Sequence, residues 1–212
     1  MFLGIINYPI EGLGYIKEIL EEKGYKVVEK LATQLSENEE FEGLVIMGGP
    51  MGVYESDKYP YLKSEMTLIR KAVNEGKPVL GVCLGSQLLS ASLGGSVKKG
   101  VFGEEIGVFK VKTVNDFVPL LGEEVEVFQW HGDTFTLPYG SKLLAYSEKY
   151  FQAFILGKAL GLQFHVEVNS KIVESRVREY GGKKELAEVV REKEEEFRKV
   201  AEKIITYWLG RS

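Results

Sequence analysis

The chain has 212 residues, a net charge of −4, 44% hydrophobic residues and 27% charged residues. A chain of this length can bury a substantial core in one domain, and this composition is typical of globular proteins. The small, dispersed charge gives no support for binding nucleic acid or an anionic membrane, and the single cysteine, Cys83, excludes an intrachain disulfide and a cysteine-rich zinc site.

The apolar N-terminus, residues 1–6, is short, and it lacks the basic start and small-residue cleavage site of a signal peptide. No apolar run in the sequence approaches the roughly 20 residues that a membrane-spanning helix needs. We therefore expect a cytoplasmic protein without a membrane segment.

Apolar runs alternate with helical patterns in the first half of the chain. Short, continuously apolar segments predict buried strands, and apolar residues spaced three and four apart predict helices. The predicted strands are residues 2–7, 26–29, 43–47 and 79–82. The predicted helices are residues 13–23, 61–74 and 84–93. This alternation indicates a parallel sheet covered by helices on both faces, and in such sheets functional sites form at the carboxyl ends of the strands.

The second half of the chain is richer in strand patterns, at residues 106–112, 125–130, 143–147, 152–156 and 160–164. A charged helix with an apolar stripe is predicted for residues 186–209. We expect this helix to dock on the protein's own core, with a partner surface as the alternative. Gly181 and Gly182 precede it, so we divide the chain into an α/β domain, residues 1–182, and a C-terminal helix, residues 183–212.

Cys83 lies in a Gly-Val-Cys-Leu-Gly sequence, where a predicted strand meets a predicted helix. Glycines two positions before and two positions after a nucleophile are typical of a sharp strand-to-helix turn, which raises the side chain above the sheet. Backbone N–H groups at the start of the helix favour an anionic sulfur, and the amide of Leu84 is available to an oxyanion. A buried, inert cysteine is the alternative, and the flanking glycines favour a nucleophile.

The chain has two histidines, and both are predicted at strand ends. Glu167 follows His165 by two positions, and residues two apart in an extended chain point to the same side. Glu167 can therefore hold one ring nitrogen while the other faces a thiol, as in a nucleophile–base–acid arrangement. We assign the base to His165 because of this carboxylate, and we predict that His131 lines the pocket. The order Cys, His, Glu argues against an α/β-hydrolase, in which the histidine comes last.

Four segments together resemble the class I, triad-type glutamine amidotransferases: Gly48-Gly49-Pro50, Gly81 to Gln87, Trp130 to Asp133 and Gln163 to Glu167. Between them, Glu105-Ile106-Gly107 and Gln152-Ala153-Phe154 also look like the branch related to the amidotransferase part of GMP synthetase. The likeness covers roughly residues 43–169, and the segments occur in the family's order. It implies a flavodoxin-like, three-layer α/β sandwich with a mainly parallel central sheet, a small extra β element and a C-terminal helical extension.

The resemblance also implies a role for each matching residue. Cys83 would be the nucleophile, His165 the base and Glu167 the orienting acid, in hydrolysis of a glutamine amide through a glutamyl thioester. The amides of Gly49 and Leu84 would bind the oxyanion. The substrate would be held by Gln87, Trp130, His131, Gly132 and Asp133. We expect no metal and no other cofactor.

One position departs from the family: its usual proline between histidine and glutamate is Val166 here, which is compatible with an extended backbone. The sequence has no Walker-type phosphate loop for a synthetase reaction. We therefore expect glutamine or a γ-glutamyl compound as the substrate, and a separate synthetase subunit is a candidate acceptor of the ammonia. The alternatives are a stand-alone γ-glutamyl peptidase, a general cysteine hydrolase on the same fold, and an inactive binding module.

Overall fold

The computed structural model of the chain describes residues 1–210. Within this range there are eleven strands, numbered in chain order: β1 (Phe2–Ile6), β2 (Val27–Leu31), β3 (Gly43–Ile46), β4 (Val79–Val82), β5 (Val97–Lys99), β6 (Glu105–Thr113), β7 (Glu124–His131), β8 (Asp133–Phe135), β9 (Lys142–Tyr146), β10 (Phe151–Leu156) and β11 (Ala159–Leu162). The α-helices are α1 (Tyr15–Glu22), α2 (Tyr61–Asn74), α3 (Leu84–Ser92), α4 (Phe117–Leu121), α5 (Ser170–Tyr180) and α6 (Glu185–Leu209).

Nine of these strands form one sheet, in the order β2-β1-β3-β4-β11-β10-β9-β6-β7. The first five run parallel, and their order is that of flavodoxin-like folds. The other four extend the sheet through antiparallel pairs. β5 and β8 form a separate two-stranded sheet. The predicted flavodoxin-like fold with a small extra β element is thus confirmed, although the sheet is parallel in one half and antiparallel in the other.

Helices bury both faces of the parallel half of the sheet. In β1, Phe2 and Ile6 pack in a core with side chains of α1 and α6, whereas Leu3 and Ile5 pack in a second core with side chains of α2 and α3. A strand that is covered on both faces contains apolar residues at successive positions and not at alternate ones. This is why continuous apolar runs located the parallel strands in the sequence.

The C-terminal helix α6 packs along the rest of the chain. Phe197 is buried in a cluster with residues of β7 and α5, and Ile204 and Trp208 are buried in the core beneath α1. Trp208 Nε1 donates a hydrogen bond to the carbonyl oxygen of Lys158 at 3.1 Å. The apolar stripe therefore faces the protein's own core, while the domain boundary at residue 182 stays a prediction. No helix in residues 1–210 is long and apolar enough to cross a membrane.

The sequence-based prediction was wrong about the end of β11. The strand was expected to continue to residue 164, but it ends at Leu162. Beyond it the backbone bonds to two other strands: Gln163 N donates to the carbonyl of Gln152 at 2.7 Å, and His165 N donates to that of Phe128 at 2.9 Å. These two bonds fix the segment that contains His165.

Helices α4 and α5 and strands β5 and β8 were not predicted. Of the three buried residues of α5, Ser170, Val173 and Arg176, only Val173 is apolar, and with the partly buried Ile172 and Val177 it makes an apolar stripe that is too short to stand out in the sequence. The side chain of Asn169 caps its first turn, accepting a hydrogen bond from the backbone N–H of Ile172 at 2.9 Å. β5 and β8 have three residues each, which is too short for a periodic pattern.

Candidate active site

Cys83 lies at the sharp turn between β4 and α3. Its φ of 53° and ψ of −112° place it in a region that residues with side chains rarely adopt. The flanking glycines are required by close contacts. A Cβ atom on Gly81 would overlap the carbonyl oxygen of Gly85, and one on Gly85 would overlap that of Ile46. The turn therefore needs glycine at both positions, and it places Cys83 at the N-terminus of α3.

The sulfur of Cys83 lies near His165, whose pKa it raises, and near two further polar groups. Sγ lies 3.6 Å from the carbonyl oxygen of Trp130, and Nε2 of Gln163 lies 3.8 Å from Sγ. Cys83 is 7% exposed and lines a pocket, so small molecules in that pocket reach it while bulk solvent has little access.

His165 and Glu167 form a buried pair that also contacts Arg176 of α5. Nδ1 of His165 lies 2.5 Å from Oε1 of Glu167. Nη2 of Arg176 donates to the same oxygen at 3.1 Å, and its Nη1 lies 3.1 Å from Nδ1 of His165. Nε2 of His165 has no hydrogen-bond partner in the described part of the chain. Glu167 thus fixes one side of the ring and leaves the other nitrogen free.

The charges around this pair determine its protonation. Burial disfavours the charged ring, but the negative charges of Glu167 and Cys83 outweigh burial and hold the pKa of His165 above its usual range. Burial also disfavours the carboxylate, but the positive charges of His165 and Arg176 hold the pKa of Glu167 below its usual range. At neutral pH the pair is therefore an imidazolium and a carboxylate, and Nε2 carries a proton.

A single pocket of about 360 Å³ contains most of the predicted site, a volume that suits a small molecule. Nine of the ten predicted residues line it: Gly49, Cys83, Leu84, Gln87, Trp130, His131, Gly132, Asp133 and His165. The tenth, Glu167, is fully buried and reaches the pocket only through its hydrogen bond to His165.

The predicted oxyanion donors come from two segments that meet beside Cys83. Leu84 is the first residue of α3, and Gly49 lies in the loop after β3. A Cβ atom on Gly49 would lie 3.5 Å from the side chain of Leu84, and one on Gly48 would lie 3.4 Å from Cβ of Cys83. The loop therefore lies in van der Waals range of both Cys83 and Leu84.

The segment from Trp130 to Asp133 is held by buried polar contacts. Nδ1 of His131 donates to the carbonyl oxygen of Asp133 at 2.7 Å, and Nε2 lies 2.8 Å from Oε1 of Glu105. Nε2 of Gln87 donates to the same Asp133 carbonyl at 3.2 Å and to Oε1 of Gln163 at 3.1 Å. Both ring nitrogens of His131 are thus engaged, which leaves His165 as the histidine with a free nitrogen beside Cys83.

Comparison with known proteins identifies the family of the chain. The chain matches the family model described as glutamine amidotransferase class-I over residues 15–181. The chain belongs to the class-I glutamine amidotransferase family. It is 34% identical over 132 residues to a glutamine-hydrolyzing GMP synthase of Crocosphaera subtropica, and 37% identical over 131 residues to one of Thermomicrobium roseum. Each match covers 60% of this chain but only 23% of the relative, so this family member spans about a quarter of these relatives.

Solved structures of other glutamine amidotransferases match nearly the whole chain of this family member. The glutamine amidotransferase of Thermotoga maritima is 34% identical, with a TM-score of 0.89 over 98% of this chain and 97% of that one. The glutamine amidotransferase of Methylobacillus flagellatus is 27% identical, with the same TM-score over 99% of this chain and 94% of that one. The fold class inferred from the sequence is therefore also that of the family's solved structures.

Among the pocket residues of this amidotransferase family member that the sequence analysis did not predict, Glu11, Arg176 and Tyr180 form a connected group. The hydroxyl of Tyr180 donates to Oε2 of Glu11 at 2.6 Å, and Nη2 of Arg176 lies 3.8 Å from Oε1 of Glu11. Two signals could have indicated them. Glu11 follows the carboxyl end of a parallel strand, and Arg176 and Tyr180 are four apart, so they share one face of a helix.

Proposed function

We propose that this protein hydrolyses the side-chain amide of glutamine through a thioester on Cys83 and releases glutamate and ammonia. The observation that carries the proposal is the shared pocket: Cys83 on a strained turn, and His165 with its Nε2 free and its Nδ1 held by Glu167. Membership of the class-I glutamine amidotransferase family supports glutamine hydrolysis in general.

In the first half of the reaction, the anionic sulfur of Cys83 attacks the amide carbon of glutamine. A C–S bond forms, and the carbonyl electron pair moves onto the oxygen, which the backbone amides of Gly49 and Leu84 bind. When the carbonyl re-forms, the C–N bond breaks, and His165 gives its Nε2 proton to the leaving nitrogen. Ammonia leaves, and the glutamyl group stays on the sulfur as a thioester. Glu167 keeps the ring oriented throughout.

In the second half, a water molecule attacks the thioester while Nε2 of His165 takes one of its protons. The C–S bond breaks, the sulfur regains its negative charge, and glutamic acid forms and loses a proton to solvent. His165 is again an imidazolium, so every group returns to its starting protonation state. The same oxyanion donors, Gly49 and Leu84, serve both tetrahedral intermediates.

We assign the amino-acid end of the substrate to Gln87 and to the segment from Trp130 to Asp133. The hydrogen bonds of His131 and Gln87 fix the backbone of this segment at the pocket wall. A preorganised backbone presents its polar groups to a small ligand without first losing conformational freedom. This arrangement suits an amino acid better than a protein chain.

Labelling with a glutamine-mimicking diazoketone tests the proposal. Wild-type protein and Cys83→Ala are incubated with the reagent, with and without excess glutamine, and the intact mass is measured. One adduct on the wild type, suppressed by glutamine and absent from Cys83→Ala, is the expected result, together with glutamate and ammonia release from glutamine. A folded wild type that neither forms the adduct nor hydrolyses glutamine would contradict the proposal and favour an inactive binding module.

A γ-glutamyl compound with a larger leaving group is the second candidate substrate. The pocket also contains Lys99, Glu104 and Ile106, which none of the roles above uses. Thioester formation is the same for both substrates, and only the leaving group differs. Comparing kcat/KM for glutamine with that for γ-glutamyl dipeptides distinguishes them. Cleavage of a protein substrate without γ-glutamyl preference would instead indicate a general cysteine hydrolase.

If glutamine is the substrate, we propose a separate synthetase subunit as the acceptor of the ammonia. The relatives matched in sequence are glutamine-hydrolyzing GMP synthases, of which this chain matches 23%. Glutamate release is measured with and without a candidate synthetase chain and its other substrates. Transfer of nitrogen from amide-labelled glutamine to the synthetase product is the expected result, and free ammonia as the sole nitrogen product would contradict this assignment.

A further inference from the structure

Arg176 is buried beside His165 and Glu167, the proposed base and its orienting acid. Its side chain is 1% exposed, and its guanidinium lies within 3.1 Å of both Glu167 Oε1 and His165 Nδ1. Removing a guanidinium from water is unfavourable unless carboxylates compensate for the lost solvation. Here Glu167 compensates on one side and Glu11, at 3.8 Å, on the other. Arg176 is thus part of a buried cluster of charged groups together with Glu167 and Glu11.

The contacts of Glu167 show what the arginine contributes. One oxygen, Oε1, accepts from both His165 and Arg176, while Oε2 has no hydrogen-bond partner among residues 1–210. Without Arg176, the hydrogen bond from His165 would be the remaining side-chain contact of this carboxylate. A carboxylate that rotates away from the ring no longer fixes the ring's orientation.

The position of Arg176 is itself fixed by a second carboxylate. Oε2 of Glu11 accepts the hydroxyl of Tyr180, which lies one helical turn after Arg176 on α5. Oε1 of Glu11 packs against Gly48, where a Cβ atom would lie 2.7 Å from it. The guanidinium therefore lies between two carboxylates that come from separate segments of the chain.

We propose that Arg176 is a positioning residue: it holds Glu167 against His165, and its charge stabilises the anionic forms of Glu167 and Cys83. This inference rests on the proposed function for its kinetic consequences, but not for its electrostatic ones. The titratable groups around Arg176 are Glu11, Glu167, His165, Cys83 and Tyr180.

The direction of the electrostatic effect follows from the charges. Loss of a buried cation disfavours the neighbouring anions, so a thiolate at Cys83 and the carboxylate of Glu167 are both less stable without it. The same loss favours the cationic ring of His165, which then keeps its proton to higher pH. In a plot of reaction rate against pH, the rising side and the falling side therefore both move towards higher pH. Removing the negative charge of Glu11 has the opposite effect and moves both sides of this plot towards lower pH.

The test uses the rate of Cys83 alkylation by iodoacetamide as a function of pH, followed by intact mass. Cys83 is the only cysteine in the chain, so the adduct is unambiguous. Arg176→Gln is expected to move the midpoint upward by about one pH unit, and Glu11→Gln to move it downward. Arg178→Gln is the matched control, because Arg178 lies on the same helix, is exposed, and bonds to Ser175 Oγ at 3.1 Å. Its midpoint is expected to stay that of the wild type.

A variant that keeps the charge separates positioning from electrostatics. Arg176→Lys is expected to retain the wild-type alkylation midpoint because it keeps the positive charge. It is expected to lose up to about 100-fold in kcat for glutamine, with little change in KM, because a single ammonium group cannot reproduce the guanidinium contacts to Glu167 and Glu11. The proposal is overturned if folded Arg176→Gln keeps the wild-type midpoint, or if Arg176→Lys keeps the wild-type kcat. If Arg176→Gln does not fold, an unmoved midpoint in Glu11→Gln overturns the electrostatic part.

The two readouts also separate this inference from the proposed function. A wild type that does not hydrolyse glutamine, combined with the expected alkylation midpoints, would reject the function and leave the electrostatic role of Arg176 standing. Glutamine hydrolysis by the wild type with unmoved midpoints would retain the function and reject the role of Arg176.

Discussion

Glu65 of α2 is a carboxyl group enclosed in the core next to the loop that contains Gly49. It is fully buried, and its Oε1 accepts from Nδ2 of Asn7 at 2.8 Å. Oε2 of Glu65 and Oδ1 of Asn7 have no hydrogen-bond partner in the part of the chain that the structure describes. Burial raises the pKa of Glu65 to about 8, and the hydrogen bond from Asn7 opposes this only in part. At pH 7 the group is therefore mostly protonated.

Replacing Glu65 by glutamine changes how the stability of the protein depends on pH. Because the folded-state pKa of Glu65, about 8, lies above the ordinary value of 4.5, the folded protein binds the proton more tightly than the unfolded chain does. Stability is therefore lost as the pH rises from the lower value to the higher one, at up to about 1.4 kcal/mol per pH unit. The full loss is up to about 5 kcal/mol. Glu65→Gln abolishes this titration, and its amide can donate to Oδ1 of Asn7.

The free energy of unfolding by urea, measured at pH 5, 7 and 9, tests this expectation. Relative to the wild type, Glu65→Gln should gain stability with rising pH, by up to about 4 kcal/mol between pH 5 and pH 9. Glu40→Gln, at an exposed carboxyl group, is the control for the general effect of removing one negative charge. A difference between Glu65→Gln and the wild type that stays constant over this pH range would refute the reasoning.

Three further substitutions test the packing described above. Gly85→Ala places a methyl group against the carbonyl oxygen of Ile46, so we expect a loss of more than about 3 kcal/mol in thermal unfolding, and an unchanged Tm would contradict the turn geometry. Trp208→Ala removes a fully buried ring, so urea unfolding should show a loss of about 3 to 5 kcal/mol, whereas a loss below about 1 kcal/mol would mean that α6 is not docked as described. Glu105→Gln removes the buried carboxylate that lies 2.8 Å from His131 Nε2 and accepts from Gln152 Nε2, and we expect a loss of about 3 kcal/mol in urea unfolding; equal stability would mean that these hydrogen bonds do not stabilise the fold.

The parallel half of the fold could be predicted because its signals are local. Strands such as β1 and β4 are covered on both faces, which produces unbroken apolar runs, and helices such as α2 have an apolar stripe. The antiparallel half could be predicted strand by strand but not in its order. The position of β9 between β10 and β6 depends on pairing between distant segments, which no local pattern records.

The residues of the candidate site also differ in whether a local sequence pattern predicts them. Cys83 lies in a local glycine pattern, and His165 and Glu167 are two residues apart, so sequence alone singled them out. Their roles stay proposals, although Cys83 and His165 line one pocket and Glu167 contacts His165 behind it. Arg176 and Glu11 lie 165 positions apart in the sequence and meet only through the packing of α5 against the loop after β1. Their local signals, a position after a strand end for Glu11 and a shared helix face for Arg176, do not show that the two side chains meet.

The backbone conformation of Cys83 has a consequence for the relation between stability and activity. Only glycine adopts a φ of 53° together with a ψ of −112° without strain, and a side chain there costs about 1 kcal/mol or more. Cys83→Gly should therefore unfold at a higher temperature than the wild type while losing the only sulfur nucleophile in the chain. The residue that would fold best at this turn and the residue that can react there are different, and the sequence contains the reactive one.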